Sequence, residues 1–430
     1  MTARAIFPTF YDKEMKIWSG APRSTLYDYN CSIGQVAHNT LKCWPTNVLQ
    51  VRDTAILHGL VGGLGLMRSL YKSRSVYRPT ALAVGGDQTA AVLCSSGTAG
   101  LPKAVALSHR HLCSTNSFCF STDVVYTSAA IDWMTGFTIM VISLTCGFTR
   151  IASSKPFSAE HAIAFVHKYK ITGLAMAPWQ AYELYFSPLA KPETLQSLRF
   201  SLVIGGWVSL AVLRKCQALL PKCYVMFSYG TTETGIVTIN IDQSLENSVG
   251  RVAPGMRVKI LDKNRQQLGT NGVGEVLIDI GLRWTGYVDN AEDTAATLQD
   301  GWINLGDLGY FDEDNNLYLV ERKKDLLKYK SKHYWPNEIE HVIAELTEID
   351  DVCVVGVRDE RYGDAAGALV IRKKGVEITA QKIIDHVAQR VVVDYKQLNA
   401  GVVFVDHIPT NVNGKVMRSA ARDIFDERSK

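Results

Sequence analysis

One nine-residue stretch constrains this chain more than any other: Ser95-Ser96-Gly97-Thr98-Ala99-Gly100-Leu101-Pro102-Lys103. It follows the apolar run Ala90-Ala91-Val92-Leu93-Cys94, which reads as a buried strand, and precedes Ala104-Val105-Ala106-Leu107-Ser108, which can form a second. Gly97 and Gly100 carry no Cβ, so the backbone there can approach an anion closely. Loop N–H groups and hydroxyls can wrap phosphate oxygens, and Lys103 supplies a point charge. The G-x-x-G-x-x-K spacing differs from the G-x-x-x-x-G-K-[ST] loop of P-loop enzymes. Taken alone, such a loop is equally a tight surface turn with a solvated lysine. Motifs further along decide between the two.

The 430 residues predict two or three domains, and 47% hydrophobic with 20% charged residues predicts a large core. A net charge of +4 gives no reason to expect nucleic acid as a partner. Nine scattered cysteines without a C-x-x-C pair point to reduced thiols inside a cell, not to a disulfide framework or a zinc site. The start, Met1 to Pro8, has no apolar run of signal-peptide length. Trp133 to Phe148 is the most apolar stretch, but it is too short to span a bilayer and reads as a buried helix. The chain ends in Ser429-Lys430, one leucine short of the peroxisomal S-K-L tripeptide, so the expected location is peroxisome or cytoplasm.

Residues 1–30 are aromatic and turn-rich, like an arm laid on a larger body, and Ser32 to Leu49 reads as a helix broken at Pro45. From 90 to about 240, candidate strands (90–94, 172–176, 200–204, 223–227) alternate with candidate helices (159–170, 179–186, 209–219). That is the pattern of a mostly parallel sheet covered on both faces. From 250 to 320 helices disappear and alternating runs predict a small antiparallel unit. A charged segment, 321–330, then precedes a second α/β unit with helices 336–346, 379–390 and 417–427 and strands 351–357, 367–372 and 401–405. The fold class is therefore α/β: a large N-terminal domain, 1–322, and a smaller α+β C-terminal domain, 323–430, joined by a segment with the composition of a linker or hinge.

Four further motifs carry chemistry. Tyr229-Gly230-Thr231-Thr232-Glu233-Thr234-Gly235 offers an aromatic face for a purine, hydroxyls for phosphate and a carboxylate for Mg²⁺. In Gly301-Trp302-Ile303-Asn304-Leu305-Gly306-Asp307, the aspartate after a glycine suits ribose hydroxyls. Arg322, Lys323, Lys324, Lys328, Lys330 and Lys332 form a basic hinge that can face phosphates or simply solvent. Finally, Gly414 frees the backbone beside Lys415 at a loop tip.

In this order and at these separations, the set resembles the adenylate-forming superfamily of acyl-CoA synthetases, 4-coumarate–CoA ligases and luciferases. The resemblance runs from about 90 to 425 and is nearest the insect luciferase-like acyl-CoA ligases. It implies ATP, Mg²⁺ and coenzyme A acting on a small carboxylic acid, with no nucleic acid, no transmembrane segment and a monomeric chain. It implies nucleotide binding by Ser95, Ser96, Gly97, Thr98, Ala99, Gly100 and Lys103, by Gly205 and Gly206, by Tyr229, Gly230 and Thr231, and by Asp307 and Arg322. Thr232, Glu233 (also the metal ligand), Lys415 and Lys328 are implied to be catalytic, and Lys324 to be the hinge. Trp133, Gly136 and Trp207 are the candidates for the acid pocket.

The chemistry suits such a site. A thiol cannot displace oxide from a carboxylate, whereas a mixed anhydride with AMP has a good leaving group. Making it requires one anion to attack another, so cations and N–H groups must gather at the phosphates. Several residues depart from the family pattern. Ala99 and Ala104 stand for a hydroxyl and a glycine, Trp207 for a small residue, and Ser331 for a glycine on the coenzyme A path. The luciferase histidine is absent from 132–136, which points to an ordinary acyl substrate, a fatty acid. Residues 50–90 are much shorter than the family's equivalent. That shortening is the feature favouring the alternative, a non-catalytic paralogue that binds nucleotide or acyl ligand without turnover.

Overall fold

The computed structural model describes residues 8–23, 32–33, 35–36, 50–51, 81–95, 102–114, 119–153, 155–206, 208, 210–242, 245, 248–322, 327–329, 332–359, 363–410 and 416–429. Its main sheet has 15 strands and two wings. The parallel wing comprises β3 (Gln50–Val51), β6 (Val124–Tyr126), β7 (Thr149–Ala152), β8 (Gly173–Met176), β9 (Phe200–Ile204) and β10 (Tyr224–Thr231), in the order β10-β9-β8-β6-β7-β3. Strand β8 is a continuous apolar run with all four residues buried, as expected where helices cover both faces of a parallel sheet.

Those helices are α2 (Met134–Cys146), α3 (Ala159–Tyr169), α4 (Pro178–Phe186) and α6 (Leu210–Leu219); α1 (His109–Cys113) and α5 (Pro192–Leu195) are short. The core on one face draws Ala162, Ile163 and Val166 from α3, Ala181 and Leu184 from α4, and Val212 and Leu213 from α6. On the other face α2 contributes Ile139 and Ile142 against Val125, Ala175, Leu202 and Met226. The spacing of the α3 residues is helical, and the helix starts where Ser158 Oγ accepts from His161 N. The buried helix expected over 133–148 is α2, ended by Gly147 at φ 74°.

The antiparallel wing holds β11 (Gly235–Asn240), β12 (Ser248–Val252), β13 (Arg257–Leu261), β14 (Gly274–Asp279), β16 (Trp302–Phe311) and β17 (Leu317–Arg322), with β15 (Leu298–Gln299) paired to β16. Helix α7 (Ala291–Thr297) lies between β14 and β15 in the chain. The N-terminal arm is part of this wing. β1 (Thr9–Asp12) and β2 (Ile17–Gly20) form a hairpin whose second strand pairs with β13. Trp18 is fully buried, stacked 4.3 Å from Tyr11 and 4.2 Å from Phe311, and its indole N–H donates to Asn315 Oδ1. Hairpin β10–β11 joins the two wings.

Three readings of the sequence are corrected. Helices do not disappear over 250–320: α7 stands there, its start fixed by the Asn290 side chain accepting from Asp293 N. Residues 90–94 belong to β4 (Thr89–Cys94), which pairs antiparallel with β5 (Ala104–Ser108) in a separate two-stranded sheet, not in the parallel wing. Nor is the strand buried: within it only Leu93 is, and Val92 is 48% exposed. An apolar run signals burial only where other elements cover it: β5 is buried from Val105 to Ser108, whereas β4 is left largely open. The helix expected over 32–49 and the shortened stretch within 50–90 lie largely outside the described residues.

A separate five-stranded sheet follows, built from β18 (Leu327–Tyr329), β19 (Lys332–Tyr334), β20 (Ile349–Asp359), β21 (Gly363–Arg372) and β22 (Gly401–Phe404). Helices α8 (Pro336–Ala344) and α9 (Ala380–Arg390) cover one face, and α10 (Arg418–Arg428) the other. All cysteines among the described residues are free thiols, and none of the described helices is long and apolar enough to cross a membrane.

Candidate active site

The carboxyl ends of β6, β9 and β10 share one edge of the parallel wing, where open α/β sheets usually hold ligands. Gly205 and Gly206 continue β9 at this edge. Gly205 has φ +103° with open space where a Cβ would sit, so backbone conformation, not room, calls for glycine. Tyr229, the next residue of β10, lies beside them, since Ser228 is in register with Ile204. Half-buried Trp133 precedes α2 at the same edge. Gly136 packs against the connection leading into that helix: a Cβ there would fall 2.1 Å from the Ala130 carbonyl oxygen.

The turn of hairpin β10–β11 carries Thr231, Thr232 and Glu233. A bulge between Tyr229 and Gly230 lets the chain turn, and a Cβ on Gly230 would lie 2.4 Å from the Gly235 carbonyl oxygen. The Thr231 and Thr234 hydroxyls are 3.0 Å apart across the turn. Glu233, which could have been a solvated turn residue, is only 6% exposed. Its Oε1 accepts from the Tyr287 hydroxyl at 3.0 Å. Burial and the facing Glu233 carboxylate raise the Tyr287 pKa well above the ordinary phenol value, which keeps the hydroxyl a donor. A carboxylate with hydroxyls at the same turn is an oxygen donor set of the kind Mg²⁺ takes. No group of three or more His, Cys, Asp or Glu that could hold a metal occurs among the described residues. An ion held by one carboxylate and substrate oxygens needs none, so the residues present fit Mg²⁺.

Asp307, in β16, is 6% exposed and follows Gly306 at φ +77°. Its Oδ2 accepts from the Tyr229 hydroxyl at 2.5 Å, and Arg322 of β17 is its cross-strand partner in register. The purine-face and ribose candidates thus meet in space.

The base of the 95–103 loop is closed by Ser95 N donating to the Lys103 carbonyl at 2.8 Å. Its supporting strand β5 is tied to the segment before α7. Ala106 N donates to the Gly286 carbonyl at 3.0 Å, and Val288 N to the Ala104 carbonyl at 2.8 Å. Lys103 Nζ lies 2.8 Å from Asp293 Oδ1 and 4.9 Å from the Tyr287 ring centroid.

Sequence reasoning missed three residues here. Tyr287 is a lone aromatic in an irregular segment, and its role rests on contacts that no local pattern encodes. Asp293 follows Asn290 at capping spacing, which foretells a helix start but not an ion pair. His111, in α1, is buried, and its Nε2 would lie 3.4 Å from a Cβ on Gly235. Burial and then the Arg23 charge depress it to about 4, so it is a neutral wall behind the Glu233 turn. Ser96, Gly97, Thr98, Ala99, Gly100, Trp207, Lys324 and Lys415 lie outside the described residues, as do the side chains of Arg322 and Lys328.

The AMP-binding enzyme family matches residues 45–287, and the AMP-binding enzyme C-terminal domain matches 338–415. The chain belongs to this family of adenylate-forming enzymes. Among similar curated proteins, 4-coumarate–CoA ligase-like 6 of Oryza sativa subsp. japonica is 34% identical over 372 residues, covering 79% of this chain and 62% of the relative. The luciferin 4-monooxygenase of Photinus pyralis is 31% identical over 353 residues, covering 79% and 64%. The chain thus spans less than two thirds of the length of these relatives. Among solved structures, ATP-bound MatB from Rhodopseudomonas palustris superposes with a TM-score of 0.76 at 24% identity, covering 95% of this chain and 84% of that one. The O-succinylbenzoate coenzyme A synthetase MenE from Bacillus subtilis, in complex with AMP, gives 0.68 at 22%, covering 79% and 72%.

Proposed function

We propose that this protein joins a carboxylic acid, a fatty acid, to coenzyme A at the expense of ATP, through an acyl-adenylate. The observation that carries this reading is the meeting of Tyr229, on the hairpin whose turn bears Glu233, with Asp307 of β16 at the carboxyl edge of the parallel wing. In it, the Tyr229 ring stacks on the purine and Asp307 with Arg322 takes the ribose hydroxyls. Gly205 and Gly206 admit the base, and Thr232 with the 95–103 loop takes phosphate. Lys103 and Lys415 meet the charge that gathers as the acid's carboxylate attacks the α-phosphorus and pyrophosphate leaves. Mg²⁺, when bound at Glu233, neutralises phosphate charge. Tyr287 holds the Glu233 carboxylate in place. The apolar Trp133 and Trp207 bound the acid.

In the second half-reaction the coenzyme A thiol attacks the acyl carbon and AMP leaves, with Lys328 in place of Lys415. The unit 323–430 turns on the unit 1–322 at Lys324 between the two steps. Relatives of varied acid specificity support the shared chemistry more than the fatty chain. Their printed names include 4-coumarate–CoA ligases and a fatty acid–[acyl-carrier-protein] ligase.

The test is ATP–pyrophosphate exchange across a panel of carboxylic acids. Exchange that depends on a fatty acid, abolished in Lys415→Ala, is expected. The same variant should still form thioester from supplied acyl-adenylate. Loss of both half-reactions in Lys415→Ala would break the division of labour. ATP binding with no acid-dependent exchange would favour the non-catalytic paralogue.

A further inference from the structure

Asp293 is an acidic side chain beside a site that must receive a polyanion. Its Oδ1 sits 2.8 Å from Lys103 Nζ, and its Oδ2 accepts from Asn290 Nδ2 at 2.8 Å. The carboxylate is therefore fixed from both sides. Asn290 in turn caps α7, accepting from Asp293 N at 3.0 Å. The Lys103 ammonium is held over the Tyr287 ring, and the Tyr287 hydroxyl is bound to Glu233. Val105, two residues after Lys103, bridges to Tyr287 across the backbone. Lysine, ring and Glu233 thus form one connected unit, with Asp293 as its acidic end.

Resting on the nucleotide reading above, we propose that Asp293 is a latch on Lys103: it holds the ammonium in the nucleotide-free protein and competes with the phosphates of ATP for it. The pair is about one third exposed on each side, with side-chain exposures of 35% and 38%. Such a pair is weak enough to exchange partners. A triphosphate carries several charges against the single charge of Asp293, so the ammonium transfers on binding. Until then the latch lowers ATP affinity and keeps the lysine in one orientation.

Two readouts test this in the full-length protein. The first uses no nucleotide: the rate at which an amine-reactive reagent modifies Lys103, followed by peptide mass spectrometry. Asp293→Asn keeps the Asn290 contact and removes the charge, so Lys103 should react severalfold faster. The second is equilibrium binding of Mg·ATP. Asp293→Asn should bind about three- to fivefold tighter, the range an exposed ion pair can supply. In a Lys103→Ala background the same substitution should change binding little, because there is no ammonium left to compete for. Unchanged Lys103 reactivity in folded Asp293→Asn overturns the latch itself. Faster modification with ATP affinity unchanged or weakened overturns the competition. Equal tightening with and without Lys103 assigns the effect to simple charge repulsion and also overturns the latch. Faster modification with no ATP binding by either protein overturns the nucleotide reading, and the competition with it.

Discussion

Seventy-eight positions separate Tyr229 from Asp307, yet the phenol donates to the carboxylate at 2.5 Å. Three strands, β11, β12 and β17, stand between β10 and β16 in the sheet order. Laid flat, that order would set the two strands about 19 Å apart. The sheet must therefore curl strongly to bring the antiparallel wing over the edge of the parallel one.

Tyr229→Phe keeps the ring and removes the hydroxyl that braces Asp307. The KM for ATP should rise by about five- to tenfold with kcat little changed, the loss expected for one hydrogen bond of ordinary strength. Asp307→Ala removes the proposed ribose partner as well and should cost more, about 10- to 100-fold in kcat/KM. Steady-state kinetics of ATP–pyrophosphate exchange checks both, and equal losses would contradict the separate roles.

Glu233→Gln should lower exchange by about 100-fold or more and shift its Mg²⁺ dependence to higher concentration, since one hard anionic oxygen is lost. Tyr287→Phe leaves the carboxylate but frees its orientation, so a loss of about fivefold is expected, recoverable with added Mg²⁺. Magnesium titrations of the two variants distinguish ligand from brace.

Buried His111 makes folding stability sensitive to mild acid. Its folded pKa of about 4 lies below the unfolded value near 6.5, so below pH 6.5 the unfolded chain binds a proton that the folded chain refuses. Stability is full above the unfolded value and is lost as pH falls toward 4, by up to about 3 kcal/mol from this residue. Chemical denaturation at pH 7.5 and 5 should show the loss, and His111→Gln should flatten it.

Trp18 fastens the N-terminal hairpin to β16 through Phe311. Trp18→Ala should cost about 3–5 kcal/mol, as for other fully buried aromatics. Phe10, 56% exposed in the same hairpin, is the control: Phe10→Ala should cost under about 0.5 kcal/mol. Urea denaturation measures both.

Much of this protein can be read from local pattern, because local pattern is what sets helix and strand. Apolar spacing located α3, α6 and α9, and the glycine-flanked motifs at 229–235 and 301–307 marked the segments that carry Tyr229, Glu233 and Asp307 of the candidate site. The same patterns misjudged 90–94, since the burial of an apolar run depends on which layer covers it. They missed Tyr287, Asp293 and His111 for a related reason. Each matters through one contact, with Glu233, Lys103 or the Gly235 turn, made across tens to more than a hundred positions of chain. Sequence alone determined which chemical groups this chain carries and the elements that hold them. The curl of the sheet and the seating of β5 against residues 285–288 decided which of those groups touch, because only the closed tertiary fold brings such distant segments within hydrogen-bonding range.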